Sequence, residues 1–228
     1  MKKTITQIYG ISSVHDAKMV VDMGADHLGV AYGEVGKTPG FLDFDQAREI
    51  FECIGDKAVK VGLTVAFDLE EIVEMVNTLM PDILHLSGDI AKFSPEQVKK
   101  LKERVPGLKV MQAIPANDPK VYEYINAYEA VSDYFLIDTV AEGIVGIGAS
   151  GLTHSLEIDK KIVESTKVPC IIAGGLGPEN VAEAIRVVGP YGVDSLTKTN
   201  WDKSKGIRGK DPEKVKAFIE AVREVERE

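Results

Sequence analysis

The sequence predicts an α/β fold in which eight parallel strands close into a (β/α)8 barrel, the TIM-barrel architecture. Apolar strand-like runs alternate strictly with helix-like stretches eight times along 228 residues, and such alternation is typical of a parallel sheet. Eight units in a chain of this length favour a closed barrel over an open doubly wound sheet. No linker or low-complexity stretch interrupts the pattern, so we expect a single domain over residues 1–228.

The first four units each join a strand to a helix with recognisable start signals. We expect strands over Thr4–Ile11, Asp26–Gly33, Val59–Phe67 and Ile83–Gly88. Ser13 can cap the first helix, the second begins near Asp43, and Ser94 to Gln97 combine a capping box with a proline at the first helical position. The third helix is indicated by apolar residues at helical spacing, namely Ile72, Val73, Val76 and Leu79.

The last four units follow the same pattern with longer loops. We expect strands over Lys109–Pro115, Tyr134–Val140, Val168–Gly175 and Gly192–Thr199. A helix near Pro119–Ala127 follows the first of these strands. The remaining helices carry apolar stripes, which are Leu156, Ile158, Ile162 and Val163; Val181, Ala184, Ile185 and Val188; and Val215, Phe218, Ile219, Val222 and Val225. Pro178 suits the first turn of the seventh helix.

The composition excludes several classes of protein. The net charge of −9 disfavours a nucleic acid or an anionic membrane as partner. No apolar run approaches the ~18 residues of a membrane span, and no apolar segment of a signal peptide follows Met1, so we expect a cytoplasmic protein. Cys53 and Cys170 lie within apolar patterns and predict buried thiols, with neither a disulfide nor a metal site. Scarce Asn and Gln beside abundant Lys and Glu indicate a thermophilic source.

Polar residues at the carboxyl ends of the strands are the candidate site, because barrels of this kind place their active sites there. They are Tyr9, Tyr32, Thr64, His85, Ser87, Gln112, Asp138, Thr139, Asp194, Thr197 and Lys198. Asp138 stands out because it interrupts an apolar strand just before a loop, where a carboxylate can serve as general acid or base. The alternative for Asp138 is a cap on the amides of that loop. His85 and His154 are weaker acid–base candidates, and His15 and His27 are interpreted as structural.

Two neighbouring loops predict a phosphate site. Gly174 and Gly175 end the seventh strand before a helix, and Thr197 and Lys198 end the eighth, which are the standard phosphate positions of such barrels. Lys198 can pair with phosphate, form a Schiff base with a carbonyl substrate, or be a solvated loop lysine. The glycine-rich loop Gly143–Gly151 can fold its amides over a ligand.

Several motifs resemble phosphoribosylanthranilate isomerase of tryptophan biosynthesis over nearly the whole chain. The most specific is Ala173-Gly-Gly-Leu-Gly-Pro-Glu-Asn-Val181, beside the family's Gly-Gly-Leu-x-Pro-Glu-Asn-Val. Further matches are Ile8-Tyr-Gly-Ile11, His15-Asp-Ala17, Gly24-Ala-Asp-His-Leu-Gly29, Val61-Gly-Leu, Leu84-His-Leu-Ser-Gly88, Leu136-Ile-Asp-Thr139, Gly192-Val-Asp194 and Gly209-Lys-Asp211.

The resemblance implies an Amadori rearrangement of a phosphorylated sugar, without a cofactor. A general acid opens the ribose ring, a general base removes the proton at C2, and an anchor holds the phosphate. The resemblance places the acid at Asp138 and the phosphate at Gly174, Gly175, Gly151 and the segment from Asp194 through Thr197 to Lys198. The implied protein is a monomer or a homodimer.

The chain departs from the family at the base. The family has a cysteine at the end of its first strand, where this chain has Tyr9. A free tyrosine titrates near 10 and a cysteine near 8.5, so Tyr9 would serve as base only if a cation such as Lys198 lowered its pKa. The family's arginine in the second strand–helix loop falls on Gly40, with Lys37 nearby.

Three functions therefore stay open at this point. The first is a sugar-phosphate isomerase with Asp138 as acid, the second a Schiff-base enzyme using Lys198, and the third a sugar-phosphate-binding homologue without catalysis.

Overall fold

A closed barrel of eight parallel strands forms the centre of the molecule. The computed structural model describes residues 3–33, 41–139, 155–202, 204 and 206–228. Each strand pairs with the next one along the sequence, and the eighth pairs with the first, so the predicted barrel is confirmed. The strands are β1 (Ile5–Tyr9), β2 (His27–Ala31), β3 (Val59–Thr64), β4 (Ile83–Leu86), β5 (Lys109–Pro115), β6 (Tyr134–Asp138), β7 (Cys170–Ile172) and β8 (Gly192–Ser195).

A helix follows each strand and covers the outside of the barrel. The helices are α1 (Val14–Asp22), α2 (Phe44–Ile54), α3 (Leu69–Leu79), α4 (Pro95–Arg104), α5 (Val121–Tyr128), α6 (Leu156–Glu164), α7 (Val181–Val188) and α8 (Pro212–Val225). Their starts follow the sequence signals: Ser13 accepts from the amide of Asp16, and Ser94 forms a capping box with Gln97. Asp43 forms a second capping box with Gln46 at α2.

The seventh unit differs from its prediction. The strand was expected to reach Gly175, but β7 ends at Ile172 because Gly174 and Gly175 have φ angles of +87° and +72°, which a strand cannot adopt. Pro178 lies in a turn before α7 and not in its first helical turn, since the helix begins at Val181. This unit therefore has a longer irregular loop at the carboxyl end of the barrel.

The eighth unit also ends its strand early. The prediction extended it to Thr199, whereas β8 ends at Ser195 and a short 3₁₀ helix, η1, spans Thr197–Thr199. A short extra helix after the eighth strand is a common part of phosphate sites in this fold.

Two separate cores explain how the sequence closes the barrel. The outer core packs the helices against the outward faces of the strands. The inner core fills the barrel with alternate residues of the strands, namely Tyr9, Val61, Ile83, Met111, Leu136, Ile171 and Ala173. At the amino end, Tyr134 packs against Tyr191 and His27 with ring centroids 5.8 and 6.4 Å apart. These rings close the barrel interior at its amino end.

In the part of the chain that the structure describes, every helix is too short or too polar to span a membrane.

Candidate active site

A small recess lies at the carboxyl end of the barrel, between the loops that follow β6, β7 and β8. It encloses about 280 Å³, including the solvent space at its mouth, and its lining residues are Asp138, Gly174, Gly175, Leu176, Asp194, Leu196 and Thr197. Five of these were predicted as site residues from the sequence. The recess therefore joins two carboxylates to the glycine pair, with the amino end of η1 beside them.

The glycine pair forms one wall of the recess. The positive φ angles of Gly174 and Gly175 are strained for any residue with a Cβ, so glycine is required at both positions. The side chain of Asn180 fixes this loop: its Oδ1 accepts from the amide of Gly177 at 2.8 Å, and its Nδ2 donates to the carbonyl of Gly175 at 3.2 Å. A loop held in this way keeps its backbone amides in place for an anion.

The loop after β8 packs directly against the glycine loop. A Cβ on Gly177 would lie 2.9 Å from Cβ of Lys198, so the two loops approach as closely as a glycine allows. Lys210 supports this loop from below, donating from Nζ to the carbonyl of Leu196 at 2.9 Å and to Oγ1 of Thr199 at 3.1 Å. The glycine loop and the loop of η1 are thus held next to each other, at the position predicted to bind phosphate.

Lys198 turns away from the recess. Its side chain is 46% exposed, its Nζ lies 3.4 Å from Oε1 of Glu179, and it does not line the recess. Schiff-base chemistry needs a lysine that is desolvated or otherwise made neutral, and an exposed ion-paired lysine does not meet that condition. The structure therefore disfavours the Schiff-base function, while contact between Lys198 and phosphate stays a prediction.

Asp138 lies at the end of β6 with its carboxylate at the recess. The residue is 7% exposed, and its Oδ1 accepts from the amide of Thr139 at 2.7 Å. Both the catalytic interpretation and the loop-capping alternative were inferred from the sequence. The amide contact supplies the capping role, and Asp138 also lines the recess.

Asp194 is the second carboxylate of the recess. Its side chain points into the barrel from β8, and Oδ1 accepts from Nε2 of Gln7 at 3.2 Å. Burial and the nearby charge of Asp138 raise the pKa of Asp194 to about 8, and these effects outweigh the opposing influence of Gln7 and Lys210. Burial in turn lowers the pKa of Lys210 to about 7 against the attraction of Asp194 and Asp16.

Tyr9 and His85 form a buried pair that spans the barrel between β1 and β4. The Tyr9 hydroxyl lies 2.7 Å from Nδ1 of His85. Burial and the charge of Asp194 raise the pKa of Tyr9 well above 10, and burial lowers the pKa of His85 to about 3. Both groups are therefore neutral near pH 7. The structure does not place Lys198 against Tyr9, so the cation that would have lowered the Tyr9 pKa is absent among the described residues.

Gln7 and Lys210 are site residues that the sequence reasoning did not single out. Gln7 links Asp194 to His27, because its Oε1 accepts from Nδ1 of His27 at 3.1 Å. Its only sequence signal was a polar residue inside the apolar strand β1. Lys210 belongs to the Gly209-Lys-Asp211 motif, which had been matched to the family without a role.

Several other residues near the strand ends make their contacts outside the recess. Thr64 hydroxyl contacts Sδ of Met75 on α3, and the Tyr32 ring packs 6.1 Å from that of Phe44 on α2. Gln112 donates to backbone carbonyls of β4 and β5. Gly151 and His154 lie outside the described residues.

A larger groove of about 1460 Å³ lies at the opposite, amino end of the barrel. It is wide and open, and its charged residues of both signs include Lys3, Arg186 and Glu226. Its lining includes neither the carboxylates Asp138 and Asp194 nor the glycine pair Gly174 and Gly175. Among residues 3–33, 41–139, 155–202, 204 and 206–228, no three His, Cys, Asp or Glu side chains form a group that could hold a metal ion.

Comparisons with known proteins agree with this geometry. The family model described as N-(5'phosphoribosyl)anthranilate (PRA) isomerase matches residues 6–221. N-(5'-phosphoribosyl)anthranilate isomerase 2 of Methanosarcina mazei is 33% identical to the chain over 213 residues, which span 93% of this chain and 91% of that protein.

Solved structures show the same fold. Phosphoribosyl anthranilate isomerase from Thermotoga maritima superposes with a TM-score of 0.79 at 25% identity, covering 97% of this chain and 99% of that one. A phosphoribosyl anthranilate isomerase in complex with reduced 1-(o-carboxyphenylamino)-1-deoxyribulose 5-phosphate gives a TM-score of 0.77 at 24% identity, with coverage of 97% and 99%. The chain belongs to the N-(5'-phosphoribosyl)anthranilate isomerase family.

Proposed function

We propose that this chain isomerises N-(5'-phosphoribosyl)anthranilate to the corresponding 1-amino-1-deoxyketose phosphate, a step of tryptophan biosynthesis. The observation that carries the proposal is the recess itself, in which Asp138 and Asp194 face the glycine pair and Thr197. Membership of the family supports the choice of substrate. No cofactor takes part in the proposed reaction.

The phosphate anchor is the first requirement of the reaction. The protein carries a net charge of −9, so a phosphorylated substrate needs a local site with positive potential. Backbone amides at Gly174, Gly175 and the start of η1 supply that potential without a buried cation, because amide dipoles attract an anion. Holding the phosphate there places the ribose over the two carboxylates.

Asp138 serves as the general acid. It donates a proton to the ring oxygen, the bond between that oxygen and C1 breaks, and the nitrogen lone pair forms an iminium with C1. A base then removes the proton from C2, and the electrons of that C–H bond form the C1–C2 double bond of an enaminol. The enaminol becomes the ketone when its hydroxyl proton is replaced by a proton at C1. Two protons are added, at the ring oxygen and at C1, and two are removed, from C2 and from the enaminol hydroxyl, so the substrate and product are isomers.

The proposal is tested by turnover of N-(5'-phosphoribosyl)anthranilate by the purified full chain, followed as formation of the ketose phosphate. We expect conversion by the wild-type protein and a loss of kcat of about 10²–10⁴-fold in Asp138→Asn. Asp45→Asn is a matched control, because Asp45 is an exposed carboxylate at the start of α2, and its rate should equal that of wild type. Binding of the reduced ketose phosphate without any turnover by the wild-type protein would favour the non-catalytic homologue instead.

The remaining expectations from the sequence stay predictions: a cytoplasmic location, a monomer or homodimer, and no nucleic-acid partner.

A further inference from the structure

We propose that Asp194 is the general base that removes the C2 proton, in the role for which the family resemblance offers only Tyr9. The inference rests on the proposed function and names the residue that completes its acid–base pair. The chain then uses two carboxylates, Asp138 and Asp194, which both line one recess.

Tyr9 is unsuited to the role on structural grounds. Its side chain is 5% exposed, it does not line the recess, and its hydroxyl is engaged with His85. Burial keeps its pKa well above 10, so almost no tyrosinate exists at neutral pH. His85 is a weak base, because burial lowers its pKa to about 3.

Asp194 stands beside the position that Tyr9 occupies. Strand β8 pairs with β1, and Asp194 is the register partner of Gln7, two residues before Tyr9 on the same face of β1. Its carboxylate reaches the recess, which the Tyr9 hydroxyl does not. A base on β8 therefore acts from the same side of the barrel as a base on β1.

The basicity of Asp194 matches the task. A carboxylate with a pKa of about 8 is nearly as basic as a free thiol, whose pKa is about 8.5. The titratable groups that face it are Asp138 in the same recess, Lys210 beneath the η1 loop and Tyr9 on β1, with Asp16 behind Lys210. Gln7 holds its orientation through Oδ1.

The two carboxylates must together hold one proton for the reaction to proceed. Asp138 needs a proton to donate and Asp194 needs to be ionised, so the active form is the singly protonated pair with its proton on Asp138. Because burial and the charge of Asp138 raise the pKa of Asp194, the shared proton rests mainly on Asp194 near pH 7 and moves to Asp138 in the active form. That form is lost when pH rises through the upper pKa of the pair, near 8. It is also lost at low pH, when both carboxylates are protonated.

The test compares three variants of the full chain with wild type, using N-(5'-phosphoribosyl)anthranilate with and without deuterium at ribose C2. Asp194→Asn keeps the size of the side chain and an acceptor for Gln7, and we expect its kcat to fall about 10²–10⁴-fold. It should bind reduced 1-(o-carboxyphenylamino)-1-deoxyribulose 5-phosphate within about threefold of wild type, which shows a folded site. Asp194→Glu should recover part of the rate, with a larger deuterium effect because proton removal becomes slower.

Tyr9→Phe separates the two candidate bases. We expect its kcat to stay within about tenfold of wild type, since general-base catalysis contributes at least ~10²-fold. A loss in Tyr9→Phe as large as in Asp194→Asn, or an Asp194→Asn variant that turns over normally, would overturn the assignment. An inactive wild-type protein would instead contradict the proposed function, and the assignment with it.

Discussion

The Tyr9 hydroxyl lies 2.7 Å from Nδ1 of His85, so a hydrogen bond crosses the barrel interior from β1 to β4. The ring of Tyr9 fits there only because residue 29 is glycine. A Cβ at Gly29 would lie 2.2 Å from Cδ1 of Tyr9, which is a severe overlap. Gly29 on the neighbouring strand thus leaves the space that the Tyr9 ring fills.

The pair of Tyr9 and Gly29 predicts strong coupling in a double-mutant cycle. Gly29→Ala alone should destabilise the protein by about 2–3 kcal/mol through overpacking. In the Tyr9→Cys background the same change should cost less than about 1 kcal/mol, because the ring that it meets is gone. Urea unfolding of the four proteins gives the coupling energy, and equal costs in both backgrounds would show that the ring is not the obstacle.

We expect an alanine in the Gly174–Gly175 pair to weaken substrate binding. Its cost in stability should be no larger than that of alanine at another glycine with a positive φ angle. Gly175→Ala introduces a Cβ at φ +72°, which costs about 1–2 kcal/mol of strain and displaces the amides of the loop. We expect KM for the phosphorylated substrate to rise at least about tenfold, since ~1.4 kcal/mol of lost anion binding corresponds to that factor.

Gly189→Ala is the matched control for this change. Gly189 has φ +63° at the end of α7, and a Cβ there would meet no atom within 4 Å. It should lose similar stability and keep the wild-type KM. Equal KM effects in the two variants would mean that loop strain, and not the predicted phosphate site, sets the affinity.

Two buried histidines predict weaker stability in acid. Burial lowers the pKa of His27 from its ordinary 6.5 to about 4 and that of His85 to about 3. The unfolded chain therefore binds more protons below pH 6.5, and the free energy of unfolding falls as pH drops through this window. For His27 the loss between pH 6.5 and 4 is on the order of 3 kcal/mol.

Urea unfolding of wild type and His27→Gln at pH 7 and pH 4.5 measures this contribution. The variant should lose less stability than wild type on acidification, and His15→Asn, which alters an exposed histidine on α1, should behave as wild type. Parallel pH dependence in wild type and His27→Gln would contradict the assignment.

A polar network at the amino end joins β1, β2 and α8. Arg223 donates to Oδ2 of Asp26 at 2.7 Å and to the carbonyl of Thr4 at 2.9 Å, and Asp26 also accepts from Thr6 and Lys3. Burial alone would raise the pKa of Asp26, but these hydrogen bonds outweigh it and lower the pKa to about 2. The network ties the last helix to the first two strands.

Asp26→Asn should therefore cost about 3 kcal/mol of stability, because it removes the carboxylate that both Arg223 and Lys3 contact and leaves the largely buried Arg223 with Glu226 and neutral acceptors. Glu228→Gln breaks the ion pair with Arg186, whose side chains are 49% and 55% exposed, and should cost less than about 1 kcal/mol. Thermal unfolding of both variants measures the two losses of stability. Equal losses would mean that the pair of Asp26 and Arg223 contributes no more than an exposed ion pair.

The barrel was predictable because hydrophobic periodicity and helix caps are local. The ends of β7 and β8 could not be predicted in this way. Gly174 and Gly175 follow an apolar run and η1 follows the polar end of β8, and the conformation of both segments depends on contacts between the two loops. The inward or outward direction of strand residues was also hidden. Both faces of a parallel strand are buried, so apolar residues occupy inward and outward positions alike. The sequence therefore does not show that Asp194 points inward and Gln112 outward.

The positions of Asp138 and of the glycine pair in the recess followed from strand-end placement, while the supporting residues did not. Lys210 reaches the loop after β8 only because an antiparallel bridge pairs Asn200 with Lys210 at the two ends of an intervening loop. No local pattern predicts such a contact. The family resemblance placed Tyr9 at a cysteine position, but only its burial and the charge of Asp194 in the structure showed why it stays neutral.

A crystal structure of the chain with reduced 1-(o-carboxyphenylamino)-1-deoxyribulose 5-phosphate tests the placement of all three groups at once. The predicted result has the phosphate on the amides of Gly174, Gly175 and η1, with C2 about 3–3.5 Å from a carboxylate oxygen of Asp194, the distance of a reactive contact. Asp138 should lie on the other side of the sugar. A phosphate bound elsewhere, or a C2 atom against the Tyr9 hydroxyl and away from Asp194, would contradict it.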